Sequence, residues 1–133
     1  MNVNPLKQMN ILIIDDDLRN IFALKTALKS RGLKAEGCIS AKEGLDYLEK
    51  EKGVDIVLLD MMMPEFDGFE FLEFVHQSPR KDYPPIIAVT AKAMMGDRER
   101  CILAGADGYV AKPVDIDKLL TEINRILLAE SDD

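Results

Sequence analysis

Short apolar runs alternate with helical spacings from one end of the chain to the other. The first run, "NILIID" at residues 10–15, is continuous and too brief for a helix, so it predicts a strand buried on both faces. Residues 18–31 follow with Leu18, Ile21, Leu24 and Leu28 at helical spacing, and Gly32 marks the stop. "GLKAEGC" at 32–38 is a weaker strand signal. Ser40, with Glu43 three positions on, is a capping-box pattern opening a helix whose apolar stripe is Ala41, Gly44, Leu45 and Leu48. "VDIVLLD" at 54–60 predicts another buried strand, "MMMPEFDG" at 61–68 a loop, and "FEFLEFVHQ" at 69–77 a short helix. Pro79, Pro84 and Pro85 exclude helix from 78–85. "IIAVT" at 86–90 is a fourth strand, 91–106 is loop then helix stopped by Gly105, and "GYVAK" at 108–112 is a fifth strand. Asp115 caps a last helix with Ile116, Leu119, Leu120, Ile123, Ile126 and Leu127 along one face.

Strict alternation of five strands and five helices predicts an α/β domain whose parallel sheet is covered on both faces. The length of 133 residues and a hydrophobic fraction of 47% fit one domain with one real core. That domain is expected over residues 9–128, with 1–8 and 129–133 as flexible tails. A net charge of −7 argues against nonspecific nucleic-acid binding, which needs clustered Lys and Arg, and against an anionic membrane surface. No apolar run approaches the ~20 residues that span a bilayer. The start, "MNVNPLKQMN", lacks the apolar core of a signal peptide, so a cytoplasmic location without membrane insertion is expected. Cys38 and Cys101 have no metal-site spacing and read as partly buried thiols, with redox regulation as the alternative.

Function in an open parallel sheet collects at the carboxyl ends of the strands. The first strand ends in Asp15, Asp16 and Asp17, the third in Asp60, the fourth in Thr90 and the fifth in Lys112. Asp15, Asp16 and Asp60 are hard oxygen ligands suited to a divalent cation such as Mg²⁺ or Mn²⁺. Lys112 supplies a point charge and Thr90 a hydroxyl donor for a phosphoryl group. A carboxylate can attack phosphorus to form an aspartyl-phosphate, and Asp60, alone at its strand end, is the candidate nucleophile. Asp17 reads instead as a first-turn residue complementing the helix dipole.

The set "ILIIDDD", "IVLLDMMMPEFDG", "IIAVTA" and "GYVAKP" resembles the receiver domain of two-component response regulators over about residues 9–128. The resemblance implies a flavodoxin-like, doubly wound five-stranded sheet of order 2-1-3-4-5 with five helices. It implies Asp60 as phosphoacceptor, and a metal bound by Asp16, Asp60 and the backbone carbonyl of Met62, with Asp15 reaching it through water. It implies Thr90 as switch hydroxyl, Lys112 as phosphate contact, Tyr109 as the aromatic that changes rotamer, and a cis peptide bond before Pro113. The implied donor is a histidine kinase or a histidine phosphotransfer domain. The implied output is a downstream protein met by the face of the fourth helix, fifth strand and fifth helix. The stretch "AKAMMGDRERCILAGADGYVAKPVD" looks most like receivers of hybrid histidine kinases.

Blander readings stand beside these. Tyr109 also reads as an ordinary half-buried strand aromatic. Met61 and Met63 read as gap-filling core, Met94 and Met95 as either core or an exposed patch, and His76 as solvated. Met62 and Lys92, each two residues beyond a site residue, sit where the family tunes hydrolysis, so a long-lived phosphorylated form is expected. Two rival functions remain open: a receiver that only docks, and an aspartyl-phosphate phosphatase with turnover. The phosphatase class typically needs a second acid two residues beyond the nucleophile, where this chain has Met62. No output module follows in the sequence, which leaves either signalling by protein contact or one receiver of a longer protein.

Overall fold

The structure, a computed structural model, describes residues 9–63, 68–80, 82–91 and 96–131. In chain order the elements are β1 (Asn10–Ile14), α1 (Leu18–Ser30), β2 (Lys34–Cys38), α2 (Ala41–Lys50), β3 (Ile56–Asp60), α3 (Gly68–Gln77), β4 (Ile86–Thr90), α4 (Asp97–Leu103), β5 (Gly108–Ala111) and α5 (Ile116–Ser131). The strands form one parallel sheet in the order β2-β1-β3-β4-β5. This is the expected flavodoxin-like, doubly wound arrangement, with β3 at its centre.

The apolar strands have two buried faces, and side chains alternate between them. Ile11, Ile13, Ile56, Leu58, Ile87, Val89 and Val110 meet Ile21, Leu24 and Leu28 of α1 and Leu119, Ile123 and Ile126 of α5. On the other face Leu12, Ile14, Val57, Leu59 and Ala88 meet Ala41 and Leu48 of α2, Phe71 and Leu72 of α3, and Cys101 of α4. Each fully buried Leu, Ile or Phe contributes about 1.5–3 kcal/mol, so these layers fix the sheet on which the strand tips are mounted. β2 is an edge strand and largely exposed, which is why its sequence signal is weak.

The helix ends follow the sequence signals. Ser40 accepts a hydrogen bond from the Glu43 N–H, and Asp115 accepts from the N–H groups of Asp117 and Lys118. Gly32 and Gly105 have φ of 85° and 117°, and each closes a helix with paired backbone bonds to the last turn: Gly32 N to Lys29 O and Leu33 N to Leu28 O, Gly105 N to Ile102 O and Ala106 N to Cys101 O. Three expectations need correction. Leu18 is 68% exposed, because α1 turns only Ile21, Leu24 and Leu28 to the sheet. Asp17 is the N-cap of α1, not a first-turn residue, and accepts the Arg19 N–H. β5 ends at Ala111, one residue before Lys112. Among the described residues no helix is long and apolar enough to cross a membrane. Residues 1–8, Lys92, Met94, Met95 and most of the loop after Met63 lie outside the described residues.

Candidate functional site

The ladder continues one residue past three strands and so aims the site. Asp15 N–H donates to Cys38 O, Met61 N–H to Val89 O, and Lys112 N–H to Thr90 O. Asp15 and Lys112 are thereby held by backbone bonds to neighbouring strands, and Asp60 by the bond that follows it. Ligand atoms of Asp15, Asp16 and Asp60 lie within 4.8 Å of one another. Lys112 Nζ stands 3.2 Å from Asp15 Oδ2 and 3.6 Å from Asp60 Oδ2. Thr90 is buried at the end of β4, and the Lys112–Pro113 peptide bond is cis.

Buried carboxylates are costly unless hydrogen-bonded or paired. Asp15 is 2% exposed and takes donors on both oxygens: the Asp17 N–H on Oδ1, and Asn20 Nδ2 with Lys112 on Oδ2. Asn20 is a member of the site that sequence reasoning missed; its only signal was a donor one turn into the helix after the aspartates. Asp60 is 4% exposed and its Oδ1 accepts the Met62 N–H. Burial pushes the Asp60 carboxyl above its ordinary range; the Met62 N–H and Lys112 act against this, while Asp15 and Asp16 add to it. Asp16 is exposed, on the solvent side of the cluster. The donor set is all hard oxygen, three carboxylates against one ammonium, and fits a small divalent cation.

Tyr109, on β5, meets two other carboxylates. Its hydroxyl donates to Asp97 Oδ2 at 3.1 Å and its N–H to Glu122 Oε2 at 3.0 Å. Met61 and Met63 are buried as expected, and Met62, whose N–H meets Asp60, is half-exposed. His76 is exposed. Cys38 and Cys101 are buried free thiols, and burial, then neighbouring acids, push Cys38 up to about 11.

The sequence model of the response regulator receiver domain matches residues 11–124. The chain belongs to this family. The receiver is 37% identical over 120 residues to the heme response regulator HssR of Staphylococcus epidermidis, covering 90% of this chain and 51% of that protein. It is 33% identical over 111 residues to the signal transduction histidine-protein kinase BarA of Escherichia coli K12, covering 84% of this chain and 12% of the kinase. The receiver thus spans about half the length of the first of these relatives and a small part of the second. Among solved structures it resembles a CheY-like receiver domain protein from Methanospirillum hungatei, with a TM-score of 0.80, 31% identity, and coverage of 96% and 100% of the two chains. A receiver is a signalling module rather than an enzyme that turns over an external substrate.

Proposed function

We propose that this receiver accepts a phosphoryl group on Asp60 from a phosphohistidine donor, in a reaction that depends on Mg²⁺ or Mn²⁺. The observation that carries the reading is the convergence of Asp15, Asp16, Asp60 and Lys112 from three separate strand ends onto one few-ångström pocket. Asp16, Asp60 and the Met62 carbonyl would hold the cation directly. The saturation of both Asp15 oxygens by protein donors supports a water-mediated role for that residue. The cation, when bound, supplies positive charge opposite the phosphoryl oxygens.

The residues then have distinct tasks. An Asp60 oxygen attacks phosphorus; the P–N bond breaks and its electron pair returns to the donor imidazole. The Met62 N–H holds the other Asp60 oxygen and so orients the carboxylate. Lys112, already between Asp15 and Asp60, faces the incoming charge. Thr90, at the adjacent strand tip, offers its hydroxyl to a phosphoryl oxygen, and Tyr109 changes rotamer in response. The donor is a histidine kinase or a histidine phosphotransfer domain in the cytoplasm. Leu18 and Phe22, exposed on α1 directly after the acidic cluster, give it an apolar surface beside the pocket.

Output runs through the α4–β5–α5 face to a downstream protein. A groove of about 500 Å³ there, lined by Arg98, Tyr109, Lys112, Lys118 and Glu122 among others, supports this. Phosphotransfer profiling against histidine kinases tests the proposal. One kinase should label the wild-type protein in the presence of Mg²⁺ and leave Asp60→Asn unlabelled. Labelling that survives in Asp60→Asn contradicts the assignment, and no labelling by any donor favours a receiver that only docks.

A further inference from the structure

We propose that Asp97 is the positioning residue of Tyr109: its carboxylate holds the tyrosine hydroxyl against the start of α4, so that the ring and that helix move together. The inference rests on the reading of Tyr109 as the aromatic that turns, and adds the group against which it turns. Asp97 is the first residue of α4 and is only 7% exposed. An acid at a helix start is ordinarily a solvated complement to the helix dipole; a buried one needs donors of its own. The Tyr109 hydroxyl supplies one at 3.1 Å on Oδ2. Arg100 Nη1 lies 3.9 Å from Oδ1, with its guanidinium 5.2 Å over the Phe69 ring.

The backbone of Tyr109 is fixed from the other side. Its N–H donates to Glu122 Oε2, Glu122 Oε1 accepts from Arg125 Nε at 2.8 Å, and Arg125 Nη2 donates to Asp107 O. Tyr109 is therefore pinned to α5 by its main chain and to α4 by its hydroxyl. What remains movable is the side chain, and turning it costs the bond to Asp97. A hydrogen bond to an ionised acceptor is about twice as strong as a neutral one. Breaking it also strips a buried carboxylate of a donor, which favours displacement of α4 along with the ring. Tyr109 thereby reports its position to the first turn of α4 through the bond of its hydroxyl to Asp97.

The test is ¹⁹F NMR of protein labelled with 3-fluorotyrosine, with the Tyr109 signal assigned by Tyr109→Phe. Spectra are taken with and without Mg²⁺ and beryllofluoride, an acyl-phosphate mimic. Asp97→Ala should move or broaden the Tyr109 signal before the mimic is added, changing the balance of ring positions about tenfold. Asp97→Asn, whose amide oxygen still accepts, should restore most of the wild-type signal. The Tyr47 and Tyr83 signals report intact folding, and Asp97→Ser, too short to reach the hydroxyl, replaces Asp97→Ala if that variant does not fold. A Tyr109 signal that responds to the mimic but is identical in wild type and in the shortened variants overturns the latch alone. A wild-type Tyr109 signal indifferent to the mimic overturns the reading of Tyr109 as the turning aromatic.

Discussion

Asp60→Asn should make the metal-free receiver more stable, although it removes the residue on which the proposed function is centred. Asp15 lies at most 4.8 Å away, a repulsion of at least about 3.5 kcal/mol at an effective dielectric near 20. Asp16 is exposed, and with water-like screening adds about 1 kcal/mol. Lys112 at 3.6 Å offsets this by about 4.6 kcal/mol. The charge terms nearly cancel. What remains is the desolvation of a buried carboxylate, several kcal/mol, less the charge-assisted bond from the Met62 N–H at about 1.5–3 kcal/mol. Asparagine keeps an acceptor for that N–H and carries no charge. The expected gain is about 1–3 kcal/mol at pH 7 in chelator, or roughly 4 °C in Tm per kcal/mol for a domain of this size.

The pH sign follows from the same residue. Its folded carboxyl lies above the ordinary 3.8, so over that window the folded state keeps a proton the unfolded chain has lost. The metal-free wild type therefore loses stability, relative to Asp60→Asn, as pH rises from 3.8 through the raised folded value, and the difference is fully present above it. Urea unfolding in chelator measures the gain. Adding Mg²⁺ at a hundred times its Kd should stabilise the wild type by about 2.7 kcal/mol and the variant by clearly less. A destabilised Asp60→Asn in chelator, or equal gains from Mg²⁺, would refute the electrostatic reasoning.

Other residues give independent tests. Gly68→Ala would place a methyl 2.7 Å from the Met61 Cα and 3.0 Å from the Asp60 carbonyl, backbone atoms that cannot rotate away. A loss of about 1–3 kcal/mol in urea unfolding and weaker Mg²⁺ binding are expected; unchanged values would show that α3 can shift freely. Cys38, raised to about 11, should react with a thiol reagent at pH 8 at least about a hundredfold slower than a free cysteine until the protein unfolds. Fast labelling of the native protein would revive a redox role. Met62→Asn removes a half-exposed apolar side chain two residues beyond Asp60 and should shorten the lifetime of the phosphorylated form in an autodephosphorylation assay. An unchanged rate would remove the shielding role expected of this residue.

The strands that carry the site were legible because each is a short apolar run ending in a polar residue, and the order of the sheet matches the order expected. Gly32, Ser40, Gly105 and Asp115 marked helix ends because their local chemistry is the same in any fold. Leu18 misled because helical spacing identifies a stripe but not its edge, and the sheet is reached only from Ile21 onward. Asp97 and Glu122 were invisible for a different reason. An acid at a helix start and an acid within an amphipathic helix ordinarily face water, and only the packing of α4 and α5 against β5 turns these two onto Tyr109. Asn20 was hidden likewise, since its contact with Asp15 depends on how α1 leaves the β1 tip.

The central claim is a cation-dependent acyl phosphate on Asp60, and intact-mass analysis after incubation with acetyl phosphate reads it directly. The account predicts a mass gain of one phosphoryl group in wild type with Mg²⁺, lost with chelator, lost on brief treatment with hydroxylamine, and never seen in Asp60→Asn. An equal mass gain in Asp60→Asn, or one indifferent to chelator, would contradict it.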